Sequence, residues 1–254
     1  MDLKAVLYET RDGVATVTMN RPEALNALNA ELYHDLEIAF RTAVEDPAVR
    51  VMVLTGAGRA FCAGGDIKSM AARIADHVDA VQMLNNLHQL LAYLYEMNQP
   101  VIAAVHCAAA GAGMSLALAC DFRVAAEDAT FSQAFIKIGL SPDGGSTWLL
   151  PRLIGGARAA HLAMTGETID ARRALEWGLI SQMVPAGQDL PQALELARRL
   201  AAFSPHALSN AKRLLRESET HTLREQLDAE AVAQRSNAAT EEFRAAVAAF
   251  VARE

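Results

Sequence analysis

The chain has 254 residues, 52% of them hydrophobic and 21% charged, with a formal net charge of -7. That length and apolar content can bury a sizeable core as one large domain, or as one domain with a small appendage. The acidic balance argues against a broad nucleic-acid surface, while leaving room for a local basic pocket for an anionic ligand.

Residues 1–10 are mixed and polar rather than a secretory signal, so a cytoplasmic protein is expected. Residues 14–19 alternate apolar Ala15, Val17 and Met19 with Thr16 and Thr18, which is strand period, and Pro22 ends the run. Asn29 reads as the N-cap of a helix whose apolar face is Leu32, Leu36, Ala39, Phe40, Ala43 and Val44, and Asp46-Pro47 stops it. Val49 to Leu54 is a near-continuous apolar run, hence a buried strand, followed by a glycine-rich loop through Gly56, Gly58, Gly64 and Gly65. A helix is predicted over 78–97, with Val81, Leu84, Leu87, Leu91 and Leu94 on its apolar face.

Val101 to Cys120 carries no Asp, Glu, Lys or Arg and is long enough to suggest a membrane span. Its β-branched start, its break at Gly111 and Gly113 and its alanine-rich end fit a buried strand, a tight turn and a buried helix better. Short strands follow at 122–125 and 129–131, then helices at 144–154, 157–164 and 171–177, with Gly178 as a C-cap, and a last short strand at 180–184. Beyond the turn at Pro185-Ala186-Gly187 only helices follow, at 191–203, 205–217, 221–236 and 240–252. The expected fold is therefore an α/β core over 1–190 with a helical region over 191–254.

Cys62, Cys107 and Cys120 lack regular spacing, which argues against a disulfide scaffold, and no CxxC pair or HExxH motif offers a metal site. Cys62 has no recognisable base partner and reads as a buried structural thiol.

Three segments could carry chemistry. Gly56 to Lys68 is a flexible loop between a buried strand and a helix, where Gly65 would allow close backbone approach to a ligand. Ala109 to Leu116 is a second strand-to-helix turn of small residues, with Ala112 near the helix start. Two N–H groups from two such turns could converge on one carbonyl oxygen, although each turn alone also reads as packing. Phe131 to Thr147 holds Asp143, after a proline and before two glycines, where helix capping is the plain alternative to chemistry.

Taken in order, these segments resemble the crotonase (enoyl-CoA hydratase/isomerase) superfamily along nearly the whole chain. Asn20-Arg21-Pro22 with Asn26-Ala27-Leu28, then Phe61 to Ile67, Gly111 to Asp121, Gly139 to Pro151, Gly155, Thr165-Gly166, Ala174 and Trp177-Gly178-Leu179 carry the resemblance. It implies a ββα superhelical core and a C-terminal helical trimerisation region, giving homotrimers or hexamers built from two trimers. It implies a coenzyme A thioester as substrate and no permanently bound cofactor. Some members of the family also bind RNA, but the acidic charge and lack of a long basic run argue against a nucleic-acid partner here, and the pattern of residues 101–120 argues against a membrane. By motif position Gly65 and Ala112 would supply the oxyanion N–H groups. Ala63, Asp66, Ile67 and Lys68 would hold coenzyme A, with Ala24 and Leu25 along the same path. Arg253 lies near a basic family position that can reach the phosphates.

The two positions that hold glutamates in typical hydratases are Ser115 and Phe135 here. Phenylalanine cannot transfer a proton, and serine is a poor base without an activating partner. The segment Leu140 to Gly145 with Thr147 to Arg152 looks like the phenylacetate-pathway branch that contains the 1,2-epoxyphenylacetyl-CoA isomerases, in which the aspartate equivalent to Asp143 is the acid/base. The resemblance thus implies an acyl-CoA isomerase that shifts a double bond or rearranges a ring epoxide through a thioester enolate. A hydratase with atypical residues and a non-catalytic CoA-binding protein are alternatives. His88 reads either as a buried structural histidine or as a residue lining the acyl pocket beside Phe135. In the latter case its spacing from Asp143 resembles the 4-chlorobenzoyl-CoA dehalogenase branch, in which Asp143 would attack carbon and His88 would activate water.

Overall fold

The computed structural model describes residues 3–75 and 80–252. Strands β1 (Val6–Arg11) and β2 (Val14–Met19) form a hairpin, followed by helix α1 (Ala30–Glu45). Next come β3 (Val51–Gly56), β4 (Ala60–Cys62), α2 (Ile67–Ala75) and α3 (Ala80–Glu96). The same strand-strand-helix order recurs in β5 (Val101–Val105), β6 (Ala108–Ala110) and α4 (Ala112–Ala119), then in β7 (Phe122–Ala126), β8 (Thr130–Ser132), α5 (Ser146–Ile154) and α6 (Gly156–Thr165). The chain continues through β9 (Thr168–Asp170), α7 (Ala171–Trp177) and β10 (Gln182–Val184) to α8 (Asp189–Ala201), α9 (Pro205–Glu217), α10 (Leu223–Ala238) and α11 (Glu241–Val251).

From β3 onward each repeat sends its first strand to one sheet and its second to another. The larger sheet runs β1-β2-β3-β5-β7-β10, parallel except for the β1–β2 hairpin, and the smaller runs β4-β6-β8-β9. The larger sheet is covered on both faces, which is why β3 reads as an unbroken apolar run. Val51 and Val53 pack toward Ala193, Ala197 and Ala201 of α8, while Met52 and Leu54 belong to the opposite cluster with Leu32, Leu36 and Phe40 of α1. Helix α8 therefore closes the sheet, so the core extends past residue 190.

Asn29 caps α1 by accepting from the Leu32 N–H at 2.9 Å, and Gly178 ends α7 in the left-handed conformation, both as the sequence indicates. The 101–120 segment is the strand, turn and buried helix expected of it, and no helix among the described residues is long and apolar enough to cross a membrane. Strands β1, β4, β6 and β9 do not follow from the sequence pattern. β1 is an edge strand whose apolar residues, Val6, Leu7 and Tyr8, are consecutive rather than alternating, and the other three have only three residues each, too few to show a period. Residues 78 and 79 of the predicted second helix, and Arg253, lie outside the described residues.

Candidate active site

All three candidate segments leave the smaller sheet at the same end. β4 and β6 run parallel with Cys62 opposite Ala109, and β6 and β8 run parallel with Ala110 opposite Ser132. The loop at 63–66, the turn at Gly111 and the segment from Gln133 onward therefore emerge side by side from the carboxyl ends of three adjacent strands, the usual place for a ligand crevice in a parallel sheet.

The first loop is pinned by main-chain bonds. The Leu28 N–H donates to the Gly64 carbonyl at 2.7 Å, the Asp66 N–H to the Leu28 carbonyl at 3.0 Å and the Ala63 N–H to the Leu25 carbonyl at 3.0 Å. These bonds use the groups on either side of Gly65, whose own N–H donates to no main-chain oxygen among the described residues. The Ala112 N–H, the first of α4, is equally unspent. Gly64, at φ +100°, lets the two turns touch: a Cβ there would lie 2.8 Å from the Ala110 carbonyl oxygen and 3.7 Å from the Ala112 nitrogen. Gly113 does the same one residue into α4, where a Cβ would meet the Cys62 carbonyl oxygen at 2.3 Å.

Ala24 and Leu25 border this loop through the Leu25–Ala63 bond. Leu25 and Asn26 both take positive φ, at 51° and 56°. Asn26 is fully buried and stabilises that turn by donating to the carbonyls of Ala57 and Ala60 at 2.8 and 2.7 Å and accepting from the Arg21 N–H at 2.9 Å. Arg21 donates to the Ala27 carbonyl and pairs with Asp66 at 3.1 Å. Asp66 also accepts from the Ser69 N–H at 3.1 Å at the start of α2. Burial would raise the Asp66 carboxyl, but the Ser69 N–H and Arg21 outweigh it and hold the group below the usual carboxylate range. The Asp66 side chain is thus committed to shaping the loop, whereas Ile67 and Lys68 are exposed at its rim.

Phe135 lies in a short 3-10 helix, Ala134–Ile138, and its ring approaches to 3.7 Å from where a Gly111 Cβ would stand. Gln133, just before it, is fully buried, and neither amide atom has a hydrogen-bond partner among the described residues.

Asp143 precedes a turn formed by Gly144 and Gly145, at φ +60° and +73°. It does not cap α5. The cap position is Gly145, with no side-chain hydrogen bond, because the two left-handed glycines separate the aspartate from the helix start. Instead its carbonyl accepts from the Ser146 N–H at 3.2 Å, the Ser146 hydroxyl at 2.8 Å and the Ser115 hydroxyl at 3.1 Å. The carboxyl Oδ1 is buried and has no hydrogen-bond partner among the described residues. Burial pushes the Asp143 pKa up, opposed by the nearby charge of His88.

His88 is exposed on α3, not buried. Leu87, Leu90, Leu91 and Leu94 turn into the core, while Leu84 and His88 lie on the flank that faces away from it. The structure therefore keeps His88 near Asp143 and rules out a buried structural role. Cys62 is fully buried, its thiol pushed up to about 12 by burial, and its Sγ donates to the Asn26 carbonyl at 3.1 Å, so it is structural.

A separate cavity of about 340 Å³ lies at the other end of α4 and does not include Asp143. There Lys212 pairs with Asp121 at 2.6 Å and donates to the Gln99 carbonyl at 2.7 Å, joining α9 to the core. Arg21, Asn26 and Ser146 support the first and third segments through hydrogen bonds to their main chain and side chains. Arg21 and Asn26 were visible as parts of the N-terminal signature, but nothing in the sequence marks Ser146.

The enoyl-CoA hydratase/isomerase family profile matches residues 9–254. The chain is 40% identical over 255 residues to the 1,2-epoxyphenylacetyl-CoA isomerase of Escherichia coli K12, covering 99% of this chain and 97% of that one. It is 38% identical over 250 residues to the 2,3-dehydroadipyl-CoA hydratase of the same organism, covering 98% and 96%. A crystal structure of an enoyl-CoA hydratase from Polaromonas sp. JS666 superposes with a TM-score of 0.93 at 38% identity, covering 99% of this chain and 98% of that one.

Proposed function

The chain belongs to the enoyl-CoA hydratase/isomerase (crotonase) family, and from that premise we propose that it is an acyl-CoA isomerase with Asp143 as its single acid/base. The coarser activity, hydratase/isomerase chemistry on acyl-CoA, comes with the family. The observation that carries the finer reading is the buried, unpartnered Oδ1 of Asp143 beside α4.

A carboxylate in that setting is desolvated and holds a proton more tightly than an ordinary aspartate, which suits a group that must take a proton and give it back. In the proposed reaction the Asp143 carboxylate removes a proton from the carbon next to the thioester carbonyl. The electron pair moves into the carbonyl, and the enolate oxygen accepts from the N–H groups of Gly65 and Ala112. The enolate collapses with protonation by Asp143 two carbons further along the chain, so the double bond moves and the mass is unchanged. Ring-epoxide rearrangement would use the same enolate. Hydration would need a second group to activate water. Phe135 has none to offer, and the Ser115 hydroxyl is already spent on a main-chain carbonyl. Ala24, Leu25, Ala63, Ile67 and Lys68 would line the coenzyme A path, with Asp66 shaping it, and His88 and Phe135 would border the acyl group.

A homotrimer, or a hexamer of two trimers, belongs to the same reading. Leu223, Leu227 and Val232 of α10 and Phe243, Val247 and Phe250 of α11 are exposed apolar residues suited to burial against other copies.

One observation favours a second reading. His88 lies near enough to Asp143 for its charge to oppose the rise in that pKa, and aryl-CoA dehalogenation would need the two side chains close together. There Asp143 would attack the ring carbon and expel halide, and His88 would activate the water that cleaves the aryl ester. A panel of 3-enoyl-, 2-enoyl-, epoxyphenylacetyl- and 4-halobenzoyl-CoA, followed by product mass and ultraviolet spectrum, separates the readings. Isomerisation gives a shifted double bond or expanded ring at unchanged mass. Water addition, halide release or free CoA would each point away from it.

A further inference from the structure

Ser115 occupies a position where typical hydratases of this family place a glutamate, and here its hydroxyl is turned to a different task. The side chain is fully buried and donates to the Asp143 carbonyl at 3.1 Å, with the Gly111 carbonyl at a longer 3.4 Å. The Ser146 hydroxyl donates to the same Asp143 carbonyl at 2.8 Å. Ser115 and Ala112 sit one turn apart on α4, and the Ser115 N–H closes that turn on the Gly111 carbonyl at 3.1 Å.

One helical turn thus presents the unspent Ala112 N–H and also grips the main chain of Asp143. The distance between an oxyanion donor and a base governs how well one carboxylate can serve two carbons of a bound enolate. The space is equally informative. A Cβ on Gly144 would lie 2.9 Å from the Ser115 Cβ, 3.1 Å from its Oγ and 2.7 Å from Leu91 Cδ1. The Asp143–Gly144 turn therefore fills the volume that a longer side chain at position 115 would need.

We propose that Ser115 is a positioning residue, clamping the Asp143 main chain to the helix that carries the Ala112 N–H, and that the Asp143–Gly144 turn it holds takes the space a second carboxylate at position 115 would need, which leaves isomerisation as the reaction. The proposal rests on the reading of Asp143 as acid/base. Ser115 touches no reacting atom and acts through where it holds the carboxylate.

The test compares wild type, Ser115→Ala, Ser115→Glu and Asp143→Asn on 3-enoyl-CoA and 2-enoyl-CoA, with thermal melts of each. Ser115→Ala should lower kcat about tenfold to a hundredfold while KM stays within about threefold. Its acidic pH limb should also move down, because a loosened Asp143 regains water. Ser115→Glu should gain no hydration of 2-enoyl-CoA. If Ser115→Ala melts early, Ser146→Ala carries the same kinetic prediction, since it strips the other hydroxyl from the same carbonyl. Unchanged kcat and pH limb in the serine variant, with Asp143→Asn inactive, would overturn the clamp and leave the acid/base reading standing. Hydration by Ser115→Glu would overturn the argument from space. Full activity in Asp143→Asn would sink the parent reading and this one with it.

Discussion

The guanidinium of Arg21 stands 3.1 Å from the carboxylate of Asp66, and this pair ties the N-terminal turn at Ala24 and Leu25 to the loop that presents Gly65. The two side chains are 17% and 14% exposed, so the pair is shielded enough to matter. Arg21→Ala should cost about 1.5–3 kcal/mol of stability, the usual range for hydrogen bonds to charged groups. It should also raise KM for acyl-CoA more than it lowers kcat, because the loop borders the proposed coenzyme A path and not the reacting carbons. Thermal melts and steady-state kinetics together check this, and an unchanged KM would separate the pair from coenzyme A binding.

Two glycines near the turns should respond differently to alanine. At Gly113 a Cβ would meet the Cys62 backbone oxygen at 2.3 Å, which cannot yield without moving β4. At Gly65 it would meet Met70 Cε at 2.2 Å, the far end of a flexible side chain that can swing away. Gly113→Ala should therefore lose about 1–3 kcal/mol or more from overpacking. Gly65→Ala should fold nearly as well as wild type. Denaturant unfolding of both variants measures the contrast, and equal stabilities would contradict it.

Because burial raises the Asp143 pKa, the acidic limb of kcat/KM should lie above the ordinary aspartate range, with activity lost as pH falls through it. The His88 charge lowers that pKa, so His88→Gln should move the limb further up. The stability sign is opposite to the usual carboxylate case. A raised folded-state pKa means that ionised Asp143 destabilises the fold at neutral pH and that this cost disappears as pH falls. Asp143→Asn should thus melt no lower, and preferably higher, than wild type at neutral pH. A clear drop in its melting temperature would show that the carboxylate is structural.

His106 offers a stability switch remote from the chemistry. Its Nδ1 lies 3.2 Å from an Asp189 carboxylate oxygen at the start of α8. That hydrogen bond raises the His106 pKa, partly opposed by burial. A raised folded value gives stability that is complete below the ordinary histidine pKa and is lost as pH rises through the shifted one. His106→Gln should therefore be most destabilising at about pH 6 and least at about pH 9. Melting curves across that window would expose a flat difference if the charge plays no part.

The large elements were legible because burial writes its period into the chain. The α1 face follows from residue spacing, the β3 run and the buried α4 from unbroken apolar content, and Asn29 and Gly178 mark the start of α1 and the end of α7 by ordinary cap chemistry. Of the smaller sheet, on which the candidate site is built, only β8 was legible. β4, β6 and β8 have three residues each, and what aligns their ends is register with distant strands, not local pattern. Asp143 could be named from its surroundings, yet capping was the stronger local explanation until the structure put Gly145 at the cap and left Oδ1 buried. The grip of Ser115 on the Asp143 carbonyl spans 28 residues and leaves no trace in either segment alone.

The central claim is that one carboxylate moves the proton. Wild type and Asp143→Asn should be given 3-enoyl-CoA side by side, and formation of the conjugated 2-enoyl-CoA followed by absorbance, with product mass as a check. The account predicts isomerisation by wild type at unchanged mass and a fall in kcat of about 10²- to 10⁴-fold in the folded variant. Conjugated product formed at an undiminished rate by Asp143→Asn would contradict it.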